Sequence, residues 1–166
     1  MMDRSVKELS STIYAAYGSN LDLSQMYIRC PSAEIYGRAE LKDHELVFRG
    51  RANHAVATVE PQSGSTVPIL LWSITPQNEK ALDRYAGCPS FYRKKMMDIE
   101  IYNRMVSALF YVMVPGHAPN YPSWMYFDSL IANYLECGFE PALLGKAMER
   151  SGELMQEEKG ALYGYY

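Results

Sequence analysis

The sequence predicts an α+β domain in which short helices accompany a strongly curved mixed sheet or small β-barrel. Strand-length apolar stretches recur along the chain, turn residues separate them, and helix signals occur at only a few places. At 166 residues the chain can bury a core without disulfides or metals, so we expect a single domain over residues 1–166.

The first half reads mainly as strands. We expect residues 1–10 to be a loosely ordered leader and residues 11–17 to be the first strand. A loop at Gly18 to Asn20 leads into a short helix, which Pro31 ends because proline cannot continue a helix. Further strands are predicted at residues 32–41 and 44–49 across a turn at Lys42-Asp43, at 54–59, and at 67–74 after a turn-rich connector at 61–66.

A helix is predicted after these strands. Thr75 is a suitable N-cap, and Pro76 would occupy the first helical position, where a missing N–H costs nothing. Gly87 and Pro89 should stop this helix just after Ala86.

The second half continues with a hairpin and two helices. Residues 93–102 alternate between apolar and polar side chains, which predicts a strand, and Asn103-Arg104 should link it to a strand at 105–114. Ser123 should cap a helix that Gly138 ends, with an apolar stripe of Trp124, Phe127, Ile131, Tyr134 and Leu135. A last helix is expected from Pro141 to about Leu154, before a tail, residues 155–166, of loose order.

Composition excludes several classes of function. The net charge is −3 and no block of Lys or Arg could follow a phosphate backbone, so nucleic acid is not expected as a partner. No segment has the length and apolar character of a signal peptide or membrane span, so we expect a cytoplasmic protein. The three cysteines and three histidines lack disulfide or zinc spacing, so no metal site is expected.

The first strand gives way abruptly to a tight polar loop. Tyr17, Gly18, Ser19, Asn20 and Leu21 form a segment that can open a turn and leave backbone N–H groups free for an anion or oxyanion. A plain strand-to-helix turn is the alternative. A second polar segment beside aromatic residues spans residues 82–92.

These two segments carry a family resemblance. The Tyr-Gly-Ser-Asn-Leu motif after a first strand, with a later Leu-Asp-x-x-x-Gly helix end and a tyrosine close behind, resembles the γ-glutamylcyclotransferase family, also known from AIG2-like proteins. The resemblance covers roughly residues 14–140, including Arg29-Cys30-Pro31 and Pro122-Ser123. It implies conversion of a γ-glutamyl amine or γ-glutamyl amino acid to 5-oxoproline and a free amine, with no cofactor and no metal.

The resemblance also implies site residues. The backbone of residues 17–21 would receive the γ-glutamyl group, with Tyr92 and Tyr126 near the ligand and Tyr111 a weaker candidate. The family has a glutamate directly before the glycine as general acid and base, whereas this chain has Ala86. We therefore expect the chain to be inactive, and we interpret Ala86 as an engineered replacement of that glutamate. A natural non-catalytic module that binds γ-glutamyl ligands is the alternative.

Other candidates carry less of the expected chemistry. Asp83 could replace the missing acid, but a structural carboxylate is the expected role, as it is for Glu79 and Glu100. Ser19 lacks a nucleophile elbow and nothing pairs it with a histidine (His44, His54 or His117), and Cys88 reads as a packing residue. A purely structural interaction domain is a third possibility.

Overall fold

The computed structural model describes residues 11–163, with side chains to residue 161, so the expected leader and the last three residues of the tail lie outside the described residues. No helix in the described part has both the length and the apolar character needed to cross a membrane. The elements are β1 (Thr12–Ala16), α1 (Leu23–Arg29), β2 (Glu34–Arg49), β3 (Val56–Ile74), α2 (Pro76–Tyr85), β4 (Tyr92–Ile101), β5 (Arg104–Met113), α3 (Trp124–Cys137) and α4 (Ala142–Tyr163).

The five strands form one sheet in the order β2-β3-β1-β5-β4. β1 runs antiparallel to β3 and parallel to β5, so the sheet is mixed. Because β2 and β4 are its two edges, the sheet is open. The predicted α+β class is therefore confirmed, and the closed barrel is not formed.

The chain divides into two compact units. The first contains the described residues up to Leu41 together with Pro68–Val114, and the second contains Lys42–Val67 and the chain from Pro115 onward. The expectation of a single domain over residues 1–166 stays a prediction.

Two predicted turns are wrong, because each lies inside a long strand. The turn at Lys42-Asp43 falls within β2, and the connector at 61–66 falls within β3. Asp43 has the positive φ of a turn residue, 57°, yet its carboxylate accepts a hydrogen bond from the N–H of Gly64, at 3.0 Å. Strand pairing therefore overrides local turn chemistry here, and the seven predicted strand ranges become five strands.

The first unit is organised around β1, which is short and buried. Its Cα partners on one side include Trp72 for Tyr14, and on the other side Leu109 for Tyr14. Tyr14, Ala15 and Ala16 are all at most 4% exposed. All five residues of β1 pair with β3, and Ile13 and Tyr14 also pair with β5. This pairing and the burial of the last three residues of β1 fix where the chain leaves the sheet.

β4 and β5 form a hairpin with continuous register from Tyr92↔Met113 to Ile101↔Arg104. The turn residues are Tyr102 and Asn103, with φ of 53° and 60°, so the turn lies one residue earlier than the predicted Asn103-Arg104 link. Positive φ at both central residues suits the right-handed twist of paired strands, which is why this turn closes the hairpin tightly.

Helix α2 begins as predicted. The hydroxyl of Thr75 accepts from the N–H of Asn78 at 3.2 Å, and the side chain of Asn78 accepts from the N–H of Thr75 at 3.0 Å. Pro76 follows at the first helical position. This reciprocal capping fixes the start of the helix whose other end carries Ala86.

The second unit contains α3 and α4. Ser123 caps α3 and Gly138 ends it with a φ of 79°, as predicted. The predicted apolar stripe is partly wrong, because Trp124 and Leu135 are 78% and 63% exposed, whereas Leu130 is fully buried. The stripe that packs inward is therefore rotated toward Leu130.

Helix α4 begins at Ala142 and continues past the predicted end at Leu154 to Tyr163. The hydroxyl of Ser151 accepts from the N–H of Phe48 at 2.9 Å, and Arg150 forms an ion pair with Glu45 at 2.9 Å. Beyond Leu154 the helix contacts β2 again, since Glu158 forms an ion pair with Nη1 of Arg49 at 3.9 Å.

We expect Thr75→Ala to lower the free energy of unfolding by about 1 kcal/mol, because the N–H of Asn78 loses its acceptor. Thr75→Ser is the matched control, since it keeps the oxygen and should retain most of the stability. Urea denaturation measures both variants, and equal losses would show that the cap does not stabilise α2.

Candidate active site

The segment after β1 presents three consecutive backbone donors. Ser19–Leu21 forms one turn of 3-10 helix, in which the N–H of Leu21 donates to the carbonyl of Gly18 at 3.0 Å. Among the described residues, the N–H groups of Gly18, Ser19 and Asn20 have no hydrogen-bond acceptor. Successive free N–H groups in a turn can form a concave anion site. That this loop binds an anion or oxyanion stays a prediction. We call residues 18–20 the donor turn.

The sheet topology brings the end of α2 to the donor turn. β3 runs antiparallel to β1, so the last residue of β3 lies beside the first residue of β1. α2 follows β3, and it therefore starts near the first residue of β1 and runs back toward the last. Ten helical residues span about 15 Å and five strand residues about 16 Å, so the two lengths match. The contact is direct, because the hydroxyl of Tyr85 donates to Oγ of Ser19 at 2.9 Å.

Ala86 follows Tyr85 as the C-cap of α2. Its N–H donates to the carbonyl of Leu82 at 2.9 Å, and its side chain is half-buried. Gly87 then adopts a φ of 62°, and this left-handed conformation ends the helix. Position 86 is therefore held rigidly, one residue from the side chain that bonds the donor turn.

A second series of hydrogen bonds links the residue before the donor turn to β5, α2 and β4. The hydroxyl of Tyr17 donates to the carbonyl of Tyr111, and the hydroxyl of Tyr111 donates to Oδ1 of Asp83 at 2.6 Å. Lys94 donates to Oδ2 of Asp83 at 3.0 Å and to Glu79 at 3.1 Å. Both oxygens of Asp83 are thus occupied by donors.

These contacts shift two pKa values. The bond to Asp83, with that to Glu79, raises the pKa of Lys94, so its ammonium stays charged. Burial, followed by the bond to the Asp83 carboxylate, raises the pKa of Tyr111, so this phenol stays protonated. The cluster is a fixed structural network whose carboxylates already have partners.

Asn20 connects the donor turn to the core and to α1. Its amide nitrogen donates to the hydroxyl of Tyr14 at 2.9 Å, and its amide oxygen accepts from Nη1 of Arg29. The guanidinium of Arg29 lies 3.4 Å from the centroid of the Tyr85 ring. Burial raises the pKa of Tyr14, which keeps its hydroxyl protonated in this network.

The predicted tyrosines lie in different units. Tyr92 starts β4 in the first unit, half-buried, with its ring 4.9 Å from that of Phe91. Tyr126 belongs to the second unit, where its hydroxyl accepts from the N–H of Ala57 at 3.0 Å. Their roles as ligand contacts stay predictions.

The alternative chemistries gain little from the geometry. Ser19 bonds to Tyr85, which is not a general base of the serine-hydrolase kind, and Cys88 is a half-buried free thiol. Within residues 11–163, no three His, Cys, Asp or Glu side chains come together in a way that could hold a metal ion.

Comparisons with known proteins identify the family of the chain. The family described as gamma-glutamyl cyclotransferase, AIG2-like, matches residues 14–127, which is more than half of the chain. The chain belongs to this family. The resemblance predicted from the motifs is thereby confirmed, and the matched range includes both the donor turn and Ala86.

Individual relatives match more narrowly. The gamma-glutamylcyclotransferases of Bos taurus and Homo sapiens are 33% and 32% identical over 87 residues, which is 48% of this chain and 46% of each relative. The chain thus spans about half the length of these curated relatives. A solved structure of a gamma-glutamyl cyclotransferase is 27% identical with a TM-score of 0.71, and the match covers 82% of this chain and 86% of that chain.

Sequence reasoning missed the roles of Arg29, Tyr85 and Lys94. The sequence predicts a role for Arg29 only as part of a motif, and it does not single out Tyr85. The position of Tyr85 directly before Ala86 could have indicated its role, since adjacent residues at the end of a helix can contact the same neighbouring segment. Nothing local to Lys94 indicates that it contacts α2.

The raised pKa of Tyr111 makes stability depend on alkaline pH. An unfolded tyrosine titrates near about pH 10, whereas buried Tyr111 keeps its proton to higher pH. The contribution is therefore complete below pH 10 and is lost as pH rises above it, at up to about 1.4 kcal/mol per pH unit.

We expect Tyr111→Phe to make the fall of unfolding free energy between about pH 10 and 11 less steep, because one titrating phenol is removed. Urea titrations at several pH values measure this slope. Tyr27→Phe is the control, because that ring is 65% exposed. A slope that is unchanged in Tyr111→Phe would contradict the expectation.

Proposed function

We propose that this chain binds a γ-glutamyl amine or γ-glutamyl amino acid without converting it, and that the same fold with glutamate at position 86 is a γ-glutamylcyclotransferase. The observation that carries this proposal is the hydrogen bond from Tyr85 to Ser19, because it joins the donor turn to the helix end that holds Ala86. Family membership supports the proposal.

The reaction asks two things of the protein. The α-ammonium of the substrate must lose a proton before its nitrogen attacks the γ-carbonyl, and the departing amine must gain one. The carbon–nitrogen bond to the leaving amine then breaks, and the new bond closes the five-membered ring of 5-oxoproline. Because the attack is intramolecular, the protein must also hold the substrate in the folded, attacking conformation.

The donor turn fits the developing negative charge. In the tetrahedral intermediate the γ-carbonyl oxygen becomes an oxyanion, and preorganised N–H groups stabilise such a charge more than they stabilise the ground-state carbonyl. The free N–H groups of Gly18, Ser19 and Asn20 are suitable donors for this purpose. The same groups can bind the γ-carbonyl in a chain that performs no chemistry.

The proton-transfer group is the part that this chain lacks. A methyl group at Ala86 can neither accept nor donate a proton. Asp83 does not replace it, since Tyr111 and Lys94 already donate to its two oxygens. Both bonds hold this carboxylate in the network that joins α2 to β4 and β5.

Position 86 suits a base because it is the C-cap of α2. The carbonyl end of a helix carries a partial negative charge, which disfavours a second negative charge nearby. A glutamate there would therefore have a pKa above its ordinary value of about 4.3, closer to the value that a general base needs at neutral pH.

We expect Ala86→Glu to raise the release of 5-oxoproline from γ-glutamyl amines by about 10²- to 10⁴-fold, because it restores a positioned general base. Ala86→Gln is the matched control, with nearly the same shape and no titratable group. Product is measured by chromatography across a panel of γ-glutamyl amines and amino acids.

The two variants separate the possible results. Turnover by the glutamate variant alone supports the proposal. Turnover by neither variant, although both fold and both bind a panel member, would overturn the enzymatic part and favour the second candidate, a non-catalytic γ-glutamyl-binding module. The observation that favours this candidate is Ala86 itself, in an otherwise intact site.

The pH profile of Ala86→Glu provides a further expectation. Its kcat/KM should fall as pH drops through a pKa above about 4.3, because protonation of the base stops catalysis and the helix end raises that pKa. Initial rates between pH 4 and 9 measure it. An acidic limb at or below the ordinary glutamate value would contradict the placement of the base at the helix end.

A further inference from the structure

Arg29 is held in one orientation by two contacts. Its Nη1 donates to the amide oxygen of Asn20, and its guanidinium carbon lies 3.4 Å from the centroid of the Tyr85 ring. Stacking on the ring fixes the plane of the guanidinium, and the hydrogen bond fixes its rotation within that plane. The side chain is only half-buried, so its remaining donors are accessible to a ligand.

The charge of Arg29 has no carboxylate partner among the described residues. Arg49 and Arg150, by contrast, are paired with Glu60 and Glu45. Asp22 is an acid on which the charge of Arg29 acts, since it contributes to the lowered pKa of Asp22 after the bonds from Ser24 and Gln25.

The carboxylate of Asp22 has another task. Its Oδ1 accepts from the N–H and hydroxyl of Ser24 and from the N–H of Gln25, so it caps α1. A guanidinium has five N–H donors, and Asn20 occupies one nitrogen of Arg29. The planar fork that remains matches the two oxygens of a carboxylate.

Both contacts of Arg29 belong to the proposed site. Asn20 is part of the donor turn, and Tyr85 directly precedes Ala86. We infer that Arg29 is a substrate-binding residue that receives a carboxylate of the γ-glutamyl ligand through paired N–H donors. This inference rests on the proposed function and assigns the group that orients the ligand between the turn and the helix end.

Two carboxylates could satisfy this chemistry. One is the α-carboxylate of the glutamyl group, and the other is the carboxylate of an amino acid on the leaving side. Three ligands distinguish them: a γ-glutamyl alkylamine, which has the α-carboxylate alone, its α-carboxamide, which has neither, and the α-carboxamide of a γ-glutamyl amino acid, which has the leaving-side carboxylate alone.

The affinity of each ligand is measured by titration calorimetry with the chain as it stands, since Ala86 should prevent turnover during the titration. We expect Arg29→Met to weaken binding of a carboxylate-bearing ligand by about 10- to 100-fold, because charge-assisted bonds are lost. Arg29→Lys should have an affinity between those of the parent chain and Arg29→Met, since lysine keeps the charge but lacks the paired N–H donors. Arg104→Met, at the first residue of β5, is the matched control and should bind as the parent does.

A merely structural role for Arg29 would weaken all three ligands equally. The inference instead requires that Arg29→Met leave binding of the ligand without either carboxylate unchanged. The same variant must weaken binding of the ligand with the α-carboxylate or of the ligand with the leaving-side carboxylate. The affected ligand identifies which carboxylate Arg29 receives.

The results separate the inference from the function on which it rests. If the parent chain binds the ligand without either carboxylate as tightly as it binds the two carboxylate-bearing ligands, and Arg29→Met changes none of these affinities, the inference is overturned and the proposed function stands. If the parent chain binds no ligand and Ala86→Glu releases no 5-oxoproline, both are overturned. Folding of each variant is checked by urea denaturation, and the ligand comparison on the parent chain needs no variant.

Discussion

β1 is hydrogen-bonded on both sides, antiparallel to β3 and parallel to β5, and this double pairing determines where the candidate site forms. Neighbouring parallel strands have their C-terminal ends on the same side of the sheet, so the residues that follow β1 lie on the same side as the end of β5. α2 starts on the opposite side, near the first residue of β1, and it is long enough to return to the side where β1 ends. Residues far apart in sequence, Ser19 and Tyr85, meet as a consequence.

Local signals predicted the elements whose ends depend on a few neighbouring residues. The caps at Thr75 and Ser123 and the left-handed glycine at position 138 act within one helical turn, so the sequence alone indicates them. The alternation in β4 is equally local, because one face of a strand packs and the other meets solvent. These features required no knowledge of the partner elements.

The errors arose where a distant partner decided the local structure. Asp43 and the segment 61–66 have turn chemistry, but pairing between β2 and β3 keeps both in strands, and Asp43 bonds Gly64 across the pair. At the candidate site, by contrast, the motifs did indicate the donor turn and Ala86. They could not indicate Arg29, because its role follows from contacts with Asn20 and Tyr85 that only the folded chain creates.

Asn20 shows what the donor turn requires from a single side chain. Its oxygen accepts from Arg29 and its nitrogen donates to Tyr14, so the two ends of the amide have opposite hydrogen-bonding roles. Aspartate has the same size but no donor for the phenol, and its negative charge would neutralise the guanidinium. Loss of the amide by hydrolysis would therefore change the polarity of the site while leaving its shape intact.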